Sequence, residues 1–113
     1  MFRIYDAKGM TAEKIADLLY VWYLSIFCGN GTKYDYYCGI TNDPETRIRD
    51  HVSNDYNGKK IEDIIVYQCD NVDISSKAET LMGNKGFDIG NPSHEGNGAS
   101  QDSCYIYLFK KPR

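Results

Sequence analysis

Three side chains in the middle of the chain are of types that suit phosphate chemistry. Arg47 and His51 are four residues apart, so on a helix they lie on one face. Arginine presents a planar fork that matches two phosphate oxygens. Glu79 offers a hard carboxylate oxygen of the kind that Mg²⁺ prefers. Together they suit phosphodiester hydrolysis, which needs a neutralised phosphate, an activated water molecule and help for the leaving oxygen.

Tyrosine is a further candidate for activating the water, and the chain has ten of them. An unperturbed tyrosine has a pKa of about 10, so it acts as a base only where a cation or a metal ion lowers that pKa. Tyr23 and Tyr37 lie in two aromatic runs that we expect to form neighbouring strands, close enough to share one water molecule. Either tyrosine could orient or deprotonate that water, whereas a tyrosine taken alone is more often a packing residue.

The first half of the chain predicts the elements that carry the tyrosines. Residues 2–5 alternate as in a short edge strand, and Thr11 is a suitable N-cap for a helix over about 12–20. The runs 21–28 and 34–40 are rich in β-branched and aromatic residues and flank a Gly-Asn-Gly turn. They therefore predict a β-hairpin.

The second half predicts a helix that positions Arg47 and His51. Asp43 is a favourable N-cap and Pro44 a favourable first residue, so a helix begins there and runs to about Ser53. The remaining elements are a buried strand over 61–69, a helix that begins at Asp73 or Ser76 and ends at Gly83 or Gly86, a long loop over about 84–101 and a last strand over 104–109. The order predicts an α/β (α+β) sandwich, a small and mainly antiparallel sheet flanked by helices, as one domain over residues 1–113.

The run Tyr37-Cys38-Gly39, followed by Arg47 and His51, resembles the second half of the GIY-YIG nuclease signature. In that family a Tyr-x-Gly strand leads through a short turn into a helix. A catalytic arginine follows the tyrosine at the distance that separates Arg47 from Tyr37, and a tyrosine or histidine follows one helical turn later. The first half of the signature is less well matched. The run 21–23, Val-Trp-Tyr, stands where Gly-Ile-Tyr is expected and keeps only the tyrosine.

The resemblance covers about residues 21–91 and implies a metal-dependent endonuclease. Glu79 stands where the family carries its metal-binding glutamate, and Asn91 lies near the usual asparagine. We therefore expect hydrolysis of DNA to 5′-phosphate and 3′-hydroxyl ends, with one Mg²⁺ or Mn²⁺ held by Glu79. The catalytic residues implied are Tyr23, Tyr37, Arg47, His51 and Glu79, and the expected substrate contacts are Asn91, Lys33 and Arg49.

Each of these residues also has a purely structural explanation. Glu79 completes Ser76-x-x-Glu79, the pattern of a capping box. Asn91 precedes a proline and suits a turn equally well. Arg47 and His51 could belong to a solvated helix face. The joint spacing, rather than any single residue, favours catalysis.

The charge of the chain limits the partners that it can bind. The net charge is −3 and the pI is near 5.3, which argues against a broad basic surface for nucleic acid but not against a local basic cleft. Two alternatives therefore stay open. One is a catalytically inactive GIY-YIG-fold module that binds a protein partner or nucleic acid, and the other is a nuclease whose DNA affinity comes from a partner protein.

Other sequence features suggest where the protein works. No stretch approaches the roughly twenty apolar residues of a membrane span, and the N-terminus has no basic-then-apolar signal pattern. The four cysteines are widely spaced without a C-x-x-C pair, which favours reduced thiols over zinc ligands. We expect a cytoplasmic protein that is not bound to a membrane.

Overall fold

The computed structural model describes residues 2–25, 31–90 and 104–112. Within these ranges a four-stranded mixed sheet packs against three α-helices. The strands are β1 (Ile4–Asp6), β2 (Tyr36–Thr41), β3 (Ile65–Gln68) and β4 (Tyr105–Lys110), and the helices are α1 (Ala12–Ser25), α2 (Pro44–Asp50) and α3 (Val72–Asn84). The strand order is β1-β3-β4-β2, with β1 parallel to β3 and the other pairs antiparallel. The predicted fold class is confirmed.

The sheet separates two hydrophobic cores, because successive residues of a strand point to opposite faces. Tyr36 of β2 belongs to the core that α1 and α3 cover, which we call the α1/α3 core. Tyr37, the next residue, packs in the core that α2 covers, which we call the α2 core. On β4 the same alternation places Ile106 and Leu108 in the α1/α3 core and Tyr107 and Phe109 in the α2 core.

Helix α1 continues through residues that the sequence predicted as a strand. Its buried positions recur at helical spacing and extend to Tyr23. Residues 21–25 are therefore helical, so the predicted β-hairpin is wrong; 26–28 lie outside the described residues. Aromatic and β-branched composition favours a strand only weakly, and burial of a continuous helical stripe outweighs it. The predicted cap is confirmed, since the Thr11 hydroxyl accepts a hydrogen bond from the Lys14 amide at 3.1 Å.

Helix α2 begins as predicted. The Asp43 side chain accepts a hydrogen bond from the Thr46 amide at 3.3 Å, and Pro44 is the first helical residue. After Asp50 the chain continues as a π-helical turn, His51–Asp55, which agrees with a predicted end near residue 53. Ile48 is buried against the sheet and fixes which face of α2 points inward. This orientation determines where Arg47 and His51 lie.

Helix α3 begins earlier than predicted. Asn71 is its N-cap, with its side-chain oxygen accepting from the Ile74 amide at 3.0 Å. The predicted starts at Asp73 or Ser76 are therefore wrong, and Ser76 lies inside the helix. The end at Gly86 is confirmed. Gly86 has a φ of 108°, and the amides of Gly86 and Phe87 donate to the carbonyls of Gly83 and Met82 in a Schellman motif.

The chain after α3 returns along the free edge of β2. The Cys38 amide donates to the Asp88 carbonyl at 2.8 Å, and the Asp88 amide donates to the Tyr36 carbonyl at 3.0 Å. The C-terminal part of the predicted long loop, from residue 91, lies outside the described residues. Within the described ranges no helix is long and apolar enough to cross a membrane.

Candidate active site

Three of the predicted residues come together on the α2 side of the sheet. The guanidinium of Arg47 lies beside the side chain of Tyr37, close enough for its charge to act on the pKa of that tyrosine. The rings of Tyr37 and His51 meet edge to face, with centroids 4.7 Å apart. Strand β2 supplies the tyrosine, while α2 and the π-helical turn that follows it supply the other two. The spacing in the sequence therefore corresponds to a real cluster in space.

A fourth member of this cluster, Tyr107 on β4, was not predicted. Its hydroxyl lies 2.8 Å from Nε2 of His51, and its side chain also lies beside the Arg47 guanidinium. Tyr107 pairs with Gly39 across β2 and β4. A β-carbon at Gly39 would lie 2.4 Å from the Tyr107 hydroxyl oxygen. The glycine of the Tyr-x-Gly motif thus leaves the space that this hydroxyl occupies.

Tyr23 does not join the cluster, and the prediction that it neighbours Tyr37 on a strand is wrong. It lies on α1 within the α1/α3 core. Its ring packs edge to face against Tyr36 and Phe87, at centroid distances of 5.0 and 5.2 Å. The strand next to β2 is instead β4, which brings Tyr107 beside Tyr37. The Ile-Tyr pair of the expected Gly-Ile-Tyr was present at 106–107, but it lies far along the chain from β2.

His51 is buried at the centre of the cluster, with 1% of its surface exposed. Its Nδ1 lies 2.6 Å from an Asp55 carboxylate oxygen. Burial lowers the pKa of His51, and the nearby Arg47 charge adds to that effect, while the hydrogen bond to Asp55 opposes it. The net pKa is lower than the ordinary value, so the ring is neutral at neutral pH.

Both tyrosine hydroxyls keep their protons in this environment. Burial raises the pKa of Tyr37 and raises that of Tyr107 well above its ordinary value. Arg47 opposes the rise in both residues through its charge and its hydrogen bonds. The pKa of Arg47 is itself raised, because its contacts with the two tyrosines outweigh the opposing effect of burial. The cluster therefore combines a fixed cation with neutral proton-carrying groups.

Glu79 approaches the cluster from α3. It is partly buried, and its charge contributes to the raised pKa of both Tyr37 and Cys38 on β2. The predicted capping-box role fails, because α3 is capped at Asn71 and Ser76 is interior. Asp88 pairs with Tyr37 in the segment beside β2, and its charge raises the pKa of Tyr37 as well.

The two expected substrate contacts within the described residues, Arg49 and Lys33, are not gathered in one place. Arg49 is exposed on α2. The amino group of Lys33 lies 5.1 Å from the centre of the Tyr20 ring, which packs against the α1/α3 core. Asn91 lies outside the described residues. Of the three, Arg49 shares the helix of Arg47.

A comparison with protein families decides the affiliation of the chain. The model of the GIY-YIG catalytic domain matches residues 19–80, more than half of the chain. The chain belongs to the GIY-YIG family. Searches among curated proteins and among solved structures gave no match. The matched segment of this GIY-YIG domain contains Tyr37, Arg47, His51 and Glu79, whereas β4 with Tyr107 lies beyond it.

GIY-YIG domains typically depend on a metal ion, and the donor atoms here suit Mg²⁺ or Mn²⁺ better than zinc. In the described part of the chain no three His, Cys, Asp or Glu side chains form a metal-binding group. A structural zinc site takes four protein ligands. Mg²⁺ instead accepts one or two carboxylates and completes its shell with water and phosphate oxygens. A single carboxylate such as Glu79 therefore fits Mg²⁺ or Mn²⁺.

Proposed function

We propose that this domain is a metal-dependent endonuclease that hydrolyses phosphodiester bonds of DNA. Membership of the GIY-YIG family implies nuclease-type phosphodiester hydrolysis. The observation that carries the proposal for this chain is the clustering of Arg47 with Tyr37 and Tyr107, with the Tyr107 hydroxyl 2.8 Å from Nε2 of His51. This group combines a cation for the phosphate with side chains that can move a proton.

Arg47 binds the scissile phosphate in this proposal. Its side chain is exposed to solvent in part while the two tyrosines hold it from beneath. Fixed in this way, the guanidinium presents its remaining N–H groups to the phosphate without first having to be ordered. It then stabilises the charge that develops on the phosphate oxygens in the transition state.

Tyr37 orients the attacking water, and it would deprotonate that water only if a bound metal ion lowered its pKa, which burial raises. It is only partly buried, whereas Tyr107 is 1% exposed, so Tyr37 is the tyrosine that a water molecule can reach. Tyr107 takes the place that the sequence had assigned to Tyr23, as the second tyrosine of the site. The contact of Tyr107 with His51 fixes the orientation of the Tyr107 hydroxyl, which lies beside Arg47.

Glu79 is the residue that would hold the divalent ion. Bound there, Mg²⁺ or Mn²⁺ would neutralise phosphate charge, lower the pKa of a coordinated water and assist the leaving oxygen. Arg49 and Asn91 are proposed contacts to the DNA backbone, whereas Lys33 is left out because its amino group packs over Tyr20. A cytoplasmic location belongs to the same proposal.

A plasmid-cleavage assay tests this function. Purified protein is incubated with supercoiled DNA and Mg²⁺ or Mn²⁺, with a chelator in parallel. We expect nicked and linear products only with metal, and roughly a hundredfold slower cleavage by Glu79→Gln. Glu13→Gln is the matched control, because Glu13 is exposed on α1 and pairs with Lys77. Unchanged cleavage by Glu79→Gln would remove Glu79 from the metal site.

The net charge of −3 favours a second candidate, a module that keeps the fold and binds a partner without cutting. A thermal-shift measurement separates the two, because a ligand that binds the native state raises the melting temperature. An active domain is stabilised by Mn²⁺ through Glu79, and Glu79→Gln loses that stabilisation. A binding module shows neither cleavage nor a metal-dependent shift. Cleavage that appears only with an added protein would instead indicate a partner that supplies DNA affinity.

A further inference from the structure

The imidazole of His51 is held at both ring nitrogens. Nδ1 lies 2.6 Å from the Asp55 carboxylate and Nε2 lies 2.8 Å from the Tyr107 hydroxyl. His51 and Asp55 are the first and last residues of the π-helical turn that follows α2. Such turns occur frequently at functional sites. Here the turn places a carboxylate that is 52% exposed against a histidine side chain that is 2% exposed.

The hydrogen-bonding capacity of each group gives these contacts a direction. An ionised carboxylate only accepts hydrogen bonds, so Nδ1 of His51 must carry the proton that faces Asp55. In a neutral imidazole the other nitrogen is then an acceptor. The hydroxyl of Tyr107 therefore donates to Nε2, and the lone pairs of its oxygen are left to face the neighbouring Arg47 guanidinium, which has only donors.

The opposite arrangement is unfavourable. If Nε2 carried the proton, Nδ1 would need a donor, and Asp55 would have to be a protonated acid. Asp55 is half exposed to water, and water solvates the ionised carboxylate well. The carboxylate form therefore sets the tautomer of the ring.

We propose that Asp55 is a positioning residue, which fixes His51 in the Nδ1–H tautomer and so aims the Tyr107 oxygen at Arg47. The contacts then have one direction: the Arg47 guanidinium faces the Tyr107 oxygen, Tyr107 donates to His51 and His51 donates to Asp55. In this way an exposed carboxylate at the end of the π-helical turn positions the guanidinium of Arg47 through two intermediate side chains. The catalytic part of this inference rests on the proposed nuclease function, while the tautomer does not.

Nitrogen NMR tests the tautomer directly. The chain has two histidines, so His94→Gln leaves His51 as the one imidazole signal in ¹⁵N-labelled protein. At pH 7.5 we expect Nδ1 to resonate as a protonated nitrogen and Nε2 as an unprotonated one. In Asp55→Ala the ring loses this preference and the two signals move toward each other. Asp55→Glu restores the wild-type pattern at least in part.

Asp50→Ala is the matched control, because Asp50 is the exposed neighbour of His51 on α2 and makes no contact with the ring nitrogens. It should leave the tautomer unchanged. If Asp55→Ala fails to fold, Asp55→Asn replaces it, since an amide can donate to Nδ1 and favour the other tautomer. A wild-type ring protonated at Nε2, or an unchanged pattern in a folded Asp55→Ala or Asp55→Asn variant, overturns the proposal.

Cleavage kinetics test the consequence for catalysis. We expect Asp55→Ala to lower kcat about tenfold or more with little change in KM, and Asp55→Glu to recover part of the loss.

The charged groups that surround His51 are Arg47, Asp50 and Asp55, and its titratable neighbours are Tyr37, Tyr56 and Tyr107. If neither the wild type nor any variant cuts DNA, the proposed function fails. The NMR result still decides whether Asp55 sets the tautomer of His51.

Discussion

Gly39 on β2 lies opposite Tyr107 on β4, and the Tyr107 hydroxyl occupies the space that a side chain at residue 39 would need. A β-carbon there would stand 2.4 Å from that hydroxyl oxygen and 2.9 Å from the ring of Tyr37. These are the two tyrosines that lie beside Arg47. The absence of a side chain at residue 39 thus keeps both tyrosines in place around the guanidinium.

Gly39→Ala is therefore expected to damage both the fold and the site. The added methyl group must displace Tyr107, since β2 and β4 are paired and cannot separate locally. Overpacking of this kind costs about 1–3 kcal/mol, measured as the fall in the free energy of unfolding in urea. The rate of DNA cleavage by Gly39→Ala should fall as well. Gly83→Ala is the control, because the three atoms nearest its β-carbon all belong to the Ile89 side chain, the closest being the terminal Cδ1, and that variant should cut like the wild type.

Tyr107→Phe removes one hydroxyl and should abolish most activity. The change breaks the contacts with His51 and Arg47 while it keeps the ring packed between Tyr37 and Phe109. We expect cleavage to slow by roughly a hundredfold or more. Tyr23→Phe should cut at nearly the wild-type rate, since Tyr23 lies in the other core. If a cleavage assay instead shows slow cleavage by Tyr23→Phe and normal cleavage by Tyr107→Phe, the second tyrosine of the site is Tyr23 on α1.

The lowered pKa of His51 makes stability depend on pH in a defined direction. Unfolded histidine has a pKa of about 6.5, and the folded value is lower. The unfolded state therefore binds more protons between these two values, and the free energy of unfolding falls as the pH decreases below about 6.5. His51→Gln should lack this component.

Urea unfolding at pH 7.5, 6.5 and 5.5 measures the difference between wild type and His51→Gln. Carboxylates with lowered pKa values, such as Glu13 and Asp43, contribute at more acidic pH and in both proteins alike. A parallel decline of the two proteins over this range would show that His51 is not the group responsible.

The start of α3 can be tested by two alanine substitutions. Asn71→Ala removes the N-cap and should destabilise the protein by about 1 kcal/mol. Ser76→Ala lies inside the helix, where alanine is at least as favourable as serine, and should change little. Thermal or urea unfolding compares them. If Ser76→Ala lowers the free energy of unfolding strongly and Asn71→Ala does not, the capping-box explanation of Glu79 is favoured again.

Features that depend on neighbours within one or two helical turns were predictable from the sequence. The caps at Thr11 and Asp43 and the glycine end at Gly86 follow from hydrogen bonds over a few residues. The meeting of Arg47 with His51 follows from helical spacing, and their meeting with Tyr37 follows from the short turn between β2 and α2. In the same way, the resemblance of this segment to the GIY-YIG signature agreed with the family match.

The sequence by itself thus determined the family, several of the local elements and most of the residues that gather around Arg47. Only the tertiary structure decided which tyrosine completes them. The runs around Tyr23 and Tyr107 are both aromatic, so local propensity cannot say which is a strand. The choice depends on burial: α1 has a continuous apolar stripe that fits against α3 and the sheet, whereas β4 pairs with strands on both sides. Such pairing joins residues far apart in the chain, and no local pattern encodes it.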